Sequence, residues 1–174
     1  DPGKPLGGRY FEECLRRIGR IEEETSVIRR VARGIYGCLT AGGKLYVYSG
    51  RREALAGEAN QKRGGLALIN ATYADDSKFS GTSKDFMIMG IYQPDDATDL
   101  KMLDTYRGMG MKIASIGPVT RDGKNPTGRS VPNEADFHLG WMMDTYGIFA
   151  LPGLQRKICP VSGFLVNVMF WTVM

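Results

Sequence analysis

Two side chains in this sequence can move a proton near neutral pH. Glu58 can act as a general base where dry surroundings raise its carboxyl pKa, and His138 is the single imidazole. The plainer alternatives are a solvated helix glutamate and a structural histidine. Around them, groups that hold a ligand collect in four segments: Ser49-Gly50-Arg51-Arg52-Glu53, Ile91 to Thr98, Pro118 to Ser130, and Cys159-Pro160-Val161-Ser162-Gly163. In the first, Ser49, Gly50 and Arg51 combine a hydroxyl, a backbone that a ligand can approach, and a cation at a helix start. The second supplies Tyr92, Gln93 and Asp95, the third Thr120, Arg121 and Ser130, and the fourth Ser162. Asp95 and Asp96 stand where a helix N-terminus would otherwise attract phosphate. That loop therefore suits ligand hydroxyls better than a second anion, unless Arg51, Arg121 or Arg129 compensates.

Several chemistries are poorly served. A single glycine after the first strand is not GxGxxG, and GKS/T is absent. No nucleophile–base–orienter series can be read from spacing. One histidine and three scattered cysteines, Cys14, Cys38 and Cys159, make no metal-ligand pattern, so no metal and no cofactor is expected.

These segments need elements to position them. Tyr10 to Thr40 has apolar residues at helical spacing, with a break expected near Glu24-Thr25-Ser26 and Thr-Ser as its N-cap. Glu12-Glu13 and Glu22-Glu23-Glu24 alternate with arginines on a solvated face. Ala41-Gly42-Gly43 ends the helix. Short apolar runs follow at Lys44–Tyr48, Leu66–Ile69, Phe86–Ile91 and Ile113–Gly117, with a fifth short strand at Ala135–Leu139. Helices are expected at about 52–62, from Pro94-Asp95-Asp96 to Gly108, and from Phe164 to Met174, while Pro118 to Pro132 reads as loop. Apolar strands alternating with helices specify a parallel sheet buried on both faces. The expected fold is α/β, a three-layer αβα sandwich with a five-stranded parallel sheet. Ligands of such sheets bind beyond the carboxyl ends of the strands.

The 174 residues fit one domain over 1–174, with an N-terminal helical region at 10–40 and a βαβ core at 44–174. Net charge is +4 with 23 basic and 19 acidic residues interspersed. Only the pairs Arg16-Arg17, Arg29-Arg30 and Arg51-Arg52 are clustered, so nucleic acid is not an expected partner. No run reaches the ~18 apolar residues of a membrane span. Reduced cysteines fit a cytoplasmic protein, and Asp1 in place of Met leaves room for a processed leader.

The run Gly42-Gly43-Lys44-Leu45-Tyr46-Val47-Tyr48-Ser49-Gly50, the later Gly64-Gly65-Leu66, and the strand Lys112-Ile113-Ala114-Ser115-Ile116 resemble the SIS (sugar isomerase) phosphosugar-binding domain. Arg129-Ser130-Val131-Pro132-Asn133-Glu134-Ala135-Asp136 looks like that family's S-P-L-A-x-x-A-D segment, and Cys159-Pro160-Val161-Ser162-Gly163 resembles the start of its last helix. The likeness runs over about residues 10–174 and is nearest to the phosphoheptose-isomerase-like branch. It implies a dimeric five-stranded parallel fold that holds a sugar phosphate on two Ser/Thr loops. In the first loop Ser49 and Gly50 match; in the second, S-x-S-G-x-[ST] gives way to Gly90-Ile91-Tyr92-Gln93-Pro94-Asp95-Asp96-Ala97-Thr98. The activity implied is aldose–ketose isomerisation, with Glu58 or His138 moving the proton. A non-catalytic sugar-phosphate sensor and a dimerisation module are the competing readings.

Overall fold

The N-terminal apolar periodicity forms two helices joined by a tighter turn: α1 (Leu6–Gly19), a 3₁₀ segment over Arg20–Glu24, and α2 (Thr25–Thr40). The computed structural model describes residues 3–50, 55–59, 67–73, 79–119, 128–140, 147–155 and 157–174. The break falls where expected, but Thr25 does not cap α2. It is the first helical residue, and its hydroxyl donates backwards to the Glu22 carbonyl at 2.6 Å. Glu24 departs further from the solvated face expected of it. It is buried, and its Oε1 accepts from Gly140 N at 2.8 Å.

The sheet contains β1 (Leu45–Ser49), β2 (Ile69–Tyr73), β3 (Phe86–Gly90), β4 (Lys112–Ile116) and β5 (Phe137–Leu139). Every pairing is parallel, in the order β2-β1-β3-β4-β5. The fold is the expected α/β sandwich. α3 (Leu55–Ala59) follows β1, α4 (Ala97–Gly108) follows β3, α5 (Val131–Glu134) precedes β5, and α6 (Ser162–Val173) closes the chain.

Three local expectations need correction. The second strand lies over Ile69–Tyr73, later than the apolar run Leu66–Ile69, and Leu68 is exposed in the turn before it. As an edge strand with one neighbour, β2 tolerates Asn70 and Thr72, so its sequence does not read as a continuous apolar run. The helix after β3 begins at Ala97 with Asp96 as its N-cap, leaving Pro94 outside the first turn. The 118–132 segment also holds the start of a helix, because Ser130 Oγ accepts from Asn133 N at 3.3 Å and caps α5. Of the helix expected at 52–62, residues 52–54 and 60–62 lie outside the described residues.

Side-chain alternation divides the core. One face carries Leu45, Val47, Phe86, Ile88, Ala114, Ile116 and Leu139 against α2, α3 and α6. The other carries Tyr48, Met87, Met89 and Ile113 against α4, with Val131 of α5.

Candidate functional site

In a sheet of this order the connections leave β1 and β3 in opposite directions, and open α/β sheets bind ligands in a crevice at the carboxyl ends of such a switch point. The register brings one row of side chains just beneath it. Thr72, Tyr48, Met89, Ser115 and His138 are aligned across all five strands on the α4 face. Neighbouring strands are about 4.8 Å apart, so the row runs the full width of the sheet. Four of the five residues are polar, in a position that a parallel sheet buried on both faces would ordinarily fill with apolar groups.

Each end of the row holds an orphaned polar atom. Ser115 Oγ lies 2.8 Å from His138 Nδ1, which fixes the ring, while Nε2 is buried with no hydrogen-bond partner among the described residues. At the other end, Thr72 Oγ1 is likewise buried and unpartnered. Such atoms are uncommon in folded interiors and call for an explanation. Burial alone depresses the His138 pKa to about 4, so the imidazole is neutral at pH 7. Its free nitrogen is a lone pair or an N–H according to the direction of the Ser115 bond.

Between these ends, Tyr48 donates to Asp99 Oδ1 at 2.8 Å. Burial, then the Asp99 charge, pushes the Tyr48 phenol well above its ordinary range. Asp99 is 3% exposed and lies in the first turn of α4, three residues after the N-cap. Asp96 Oδ1 accepts from Thr98 N at 2.8 Å and Asp99 N at 3.3 Å. This helix start is thus filled by its own carboxylates. Gly50 lies directly against it, since a Cβ there would come 2.6 Å from Asp99 Oδ1.

The loops above the row are tied to one another. Gly50 N reaches Gly90 O, Ile91 N donates to Ile116 O at 2.9 Å, and Gly117 N donates to Leu139 O at 3.0 Å. Gly117 adopts φ +156°, and a Cβ would fall 2.4 Å from Ile91 O, so no larger residue fits. Val131 N donates to Pro94 O at 2.8 Å, joining α5 to the β3–α4 loop. Glu24 adds the contact to Gly140 after β5.

The structure distributes the candidate residues unevenly. Ser49 is buried and its Oγ accepts from Ala56 N at 3.1 Å, anchoring α3. Tyr92 and Gln93 are half-buried in the loop after β3, while Asp95 is exposed just outside the α4 cap. Ser130 is buried as the α5 cap. Glu58 lies on α3 with its side chain exposed. Arg51, Thr120, Arg121 and the Ser162 side chain lie outside the described residues. Arg129 is held by Asp104 Oδ1 at 2.6 Å and Glu134 Oε2 at 2.7 Å, so it braces α4 against α5. Sequence reasoning missed Tyr48, Asp99, Thr72 and Glu24. Only Asp99 left a signal, the Asp96-x-x-Asp99 spacing of a capping pair.

Comparison with solved structures identifies the architecture. E. coli CFT073 c3406 in complex with A5P matches with a TM-score of 0.64 at 13% identity, over 97% of this chain and 86% of that one. A candidate sugar-phosphate isomerase from Listeria monocytogenes matches at 0.59 and 14%, over 95% and 83%. The chain has the fold of phosphosugar isomerases. A third neighbour, a candidate phosphosugar isomerase involved in capsule formation from Bacteroides fragilis, agrees at 0.59 and 13%, over 94% and 85%. At these identities the likeness shows the fold alone. No family model and no curated protein sequence matches the chain.

Proposed function

We propose that the chain binds a sugar phosphate in the crevice at the carboxyl ends of β1 and β3, and that it is an SIS-type domain. The observation that carries this is the polar row Thr72–Tyr48–Met89–Ser115–His138 beneath the crevice, with an unpartnered atom at each end. A5P bound to a protein of the same fold supports the ligand class. Tyr92 and Gln93 take sugar hydroxyls. The phosphate lies away from α4, because Asp96 and Asp99 fill that helix start and would repel it. Arg51 and Arg121 are the cations proposed to meet it, with Ser49, Gly50, Asp95, Thr120, Ser130 and Ser162 as the surrounding loop residues.

In the enzymatic form the reaction is aldose–ketose isomerisation. A base removes the proton beside the carbonyl and returns it to the adjacent carbon, while a proton passes between the two oxygens. His138 suits this role: it is neutral, oriented by Ser115, and has one nitrogen free. Glu58, exposed on α3, is the lesser candidate. A sensor reading is favoured by one observation, the engagement of the Ser49 hydroxyl with α3 in place of a ligand. The domain is proposed to work as a homodimer or higher homo-oligomer, with exposed Phe11 and Leu15 on α1 and Phe164 and Trp171 on α6 as the apolar surface to be covered.

A panel of aldose and ketose phosphates tests the reading by thermal shift. A ligand at about 100 times its dissociation constant adds roughly 2.7 kcal/mol of stability, and Tyr92→Ala should diminish that shift. Silence across the panel, or a shift unchanged in Tyr92→Ala, would remove the crevice as the site. Exchange of substrate C–H into heavy water would exclude the sensor.

A further inference from the structure

Arg16 and Arg17 read from sequence as solvated charge, yet Arg17 is only 7% exposed. It lies in the wall of a cleft of about 440 Å³ between α1 and residues Ile148, Phe149 and Lys157. Four cations line this cleft, Arg9, Arg16, Arg17 and Lys157, against two acids, Glu12 and Glu13. Both acids are already engaged. Glu13 accepts from Arg16 and Arg17, and those bonds, Arg16 first, hold its carboxyl down at about 2. Glu12 is turned to Lys4. Among the described residues, two of these cations therefore lack carboxylate partners. Arg9 lies over the Phe149 ring at 5.0 Å, and neither it nor Lys157 has an ion pair among the described residues.

The wall opposite α1 is held in shape. Phe149 and Ile158 exchange backbone hydrogen bonds at 3.3 and 2.9 Å, and Tyr10 donates to Pro160 O at 3.2 Å. This fixes Phe149 and presents Lys157 beside α1. The cleft lies within the ~300–1,000 Å³ range of small-molecule sites. Guanidinium groups above an apolar floor suit a phosphate carried on a small organic body. A polyanion needs an open basic stripe in place of such a cleft. None of the lining residues belongs to the strand-end loops.

We propose that this cleft is a second ligand site, taking a small phosphate-bearing anion, separate from the strand-end crevice. The test is calorimetric titration of pyrophosphate into the full chain at matched ionic strength, with sodium chloride as the control. Saturable binding is expected in the wild type. Arg9→Gln and Lys157→Gln should each weaken it about tenfold, the usual scale for a charge-assisted contact. Arg29→Gln, which removes an exposed cation from α2, should leave binding unchanged. Glu12→Gln should tighten binding, a gain that misfolding cannot produce. Arg51→Gln, at a cation proposed to meet phosphate in the crevice, separates the two sites and should leave pyrophosphate affinity unaltered. No saturable binding would overturn the proposal. So would binding that is lost in Arg51→Gln, or that falls equally in Arg29→Gln and Lys157→Gln.

Discussion

The two faces of the sheet are built differently. Against α2, α3 and α6 the buried strand positions are apolar from Leu45 to Leu139, apart from Ser49, whose Oγ accepts from Ala56 N of α3. Against α4 and α5 the same five strands present Thr72, Tyr48, Ser115 and His138, together with buried Asp99 from α4. The first face carries the stability. The second gives up apolar contact and leaves Thr72 Oγ1 and His138 Nε2 without partners among the described residues, which the proposed ligand site would explain.

Truncation on the apolar face should produce the largest effect. Phe86 is fully buried there and stacks on Phe137 at 6.3 Å, so Phe86→Ala should cost about 3–5 kcal/mol in denaturant unfolding. A loss below about 1 kcal/mol would erase the contrast between faces.

The next largest effect is pH-dependent and belongs to the polar face. The His138 pKa is about 4 when folded, against 6.5 for the free group. Below 6.5 the unfolded chain takes up a proton that the folded chain refuses. The part of the stability that depends on His138 should therefore be lost as pH drops from about 6.5 to 4, by on the order of 3 kcal/mol. His138→Gln should flatten this stretch of the pH–stability curve, and an unchanged slope would show that His138 is not the group responsible.

Removing the Tyr48 hydroxyl deprives buried Asp99 of a donor, so Tyr48→Phe should cost about 1–3 kcal/mol. Thr72→Val gives the smallest effect and the sharpest sign. It replaces an orphaned hydroxyl by a methyl, so the protein should unfold at the same or slightly higher denaturant concentration. A marked loss of stability would mean that the Thr72 hydroxyl has a partner after all.

Much of the fold was legible because burial writes itself into the central strands. β1, β3 and β4 have sheet neighbours on both sides and appear as short apolar runs, and the helices around α4 and α6 show apolar spacing or continuous apolarity. β2 was placed too early because an edge strand can carry Asn70 and Thr72. α5 was missed because one capping serine and a proline start a helix only four residues long. The site was far less legible. Tyr48 and His138 are separated by 90 positions and meet in one row only through the register of strands between them. Nothing in local spacing marks Glu24 as buried, since its neighbours Glu22 and Glu23 remain exposed. His138 was identifiable as the single imidazole, but its neutral state and free nitrogen follow from packing alone.

The most direct test of the strand-end site uses Met89, which is fully buried at the centre of the polar row. With ¹³C-methyl methionine labelling and assignment by Met89→Leu, titration with A5P should shift the Met89 methyl saturably. Met169, on α6 behind the opposite face, should hold its position. A saturable shift at Met169 with Met89 unmoved, or no shift at either, would contradict the account.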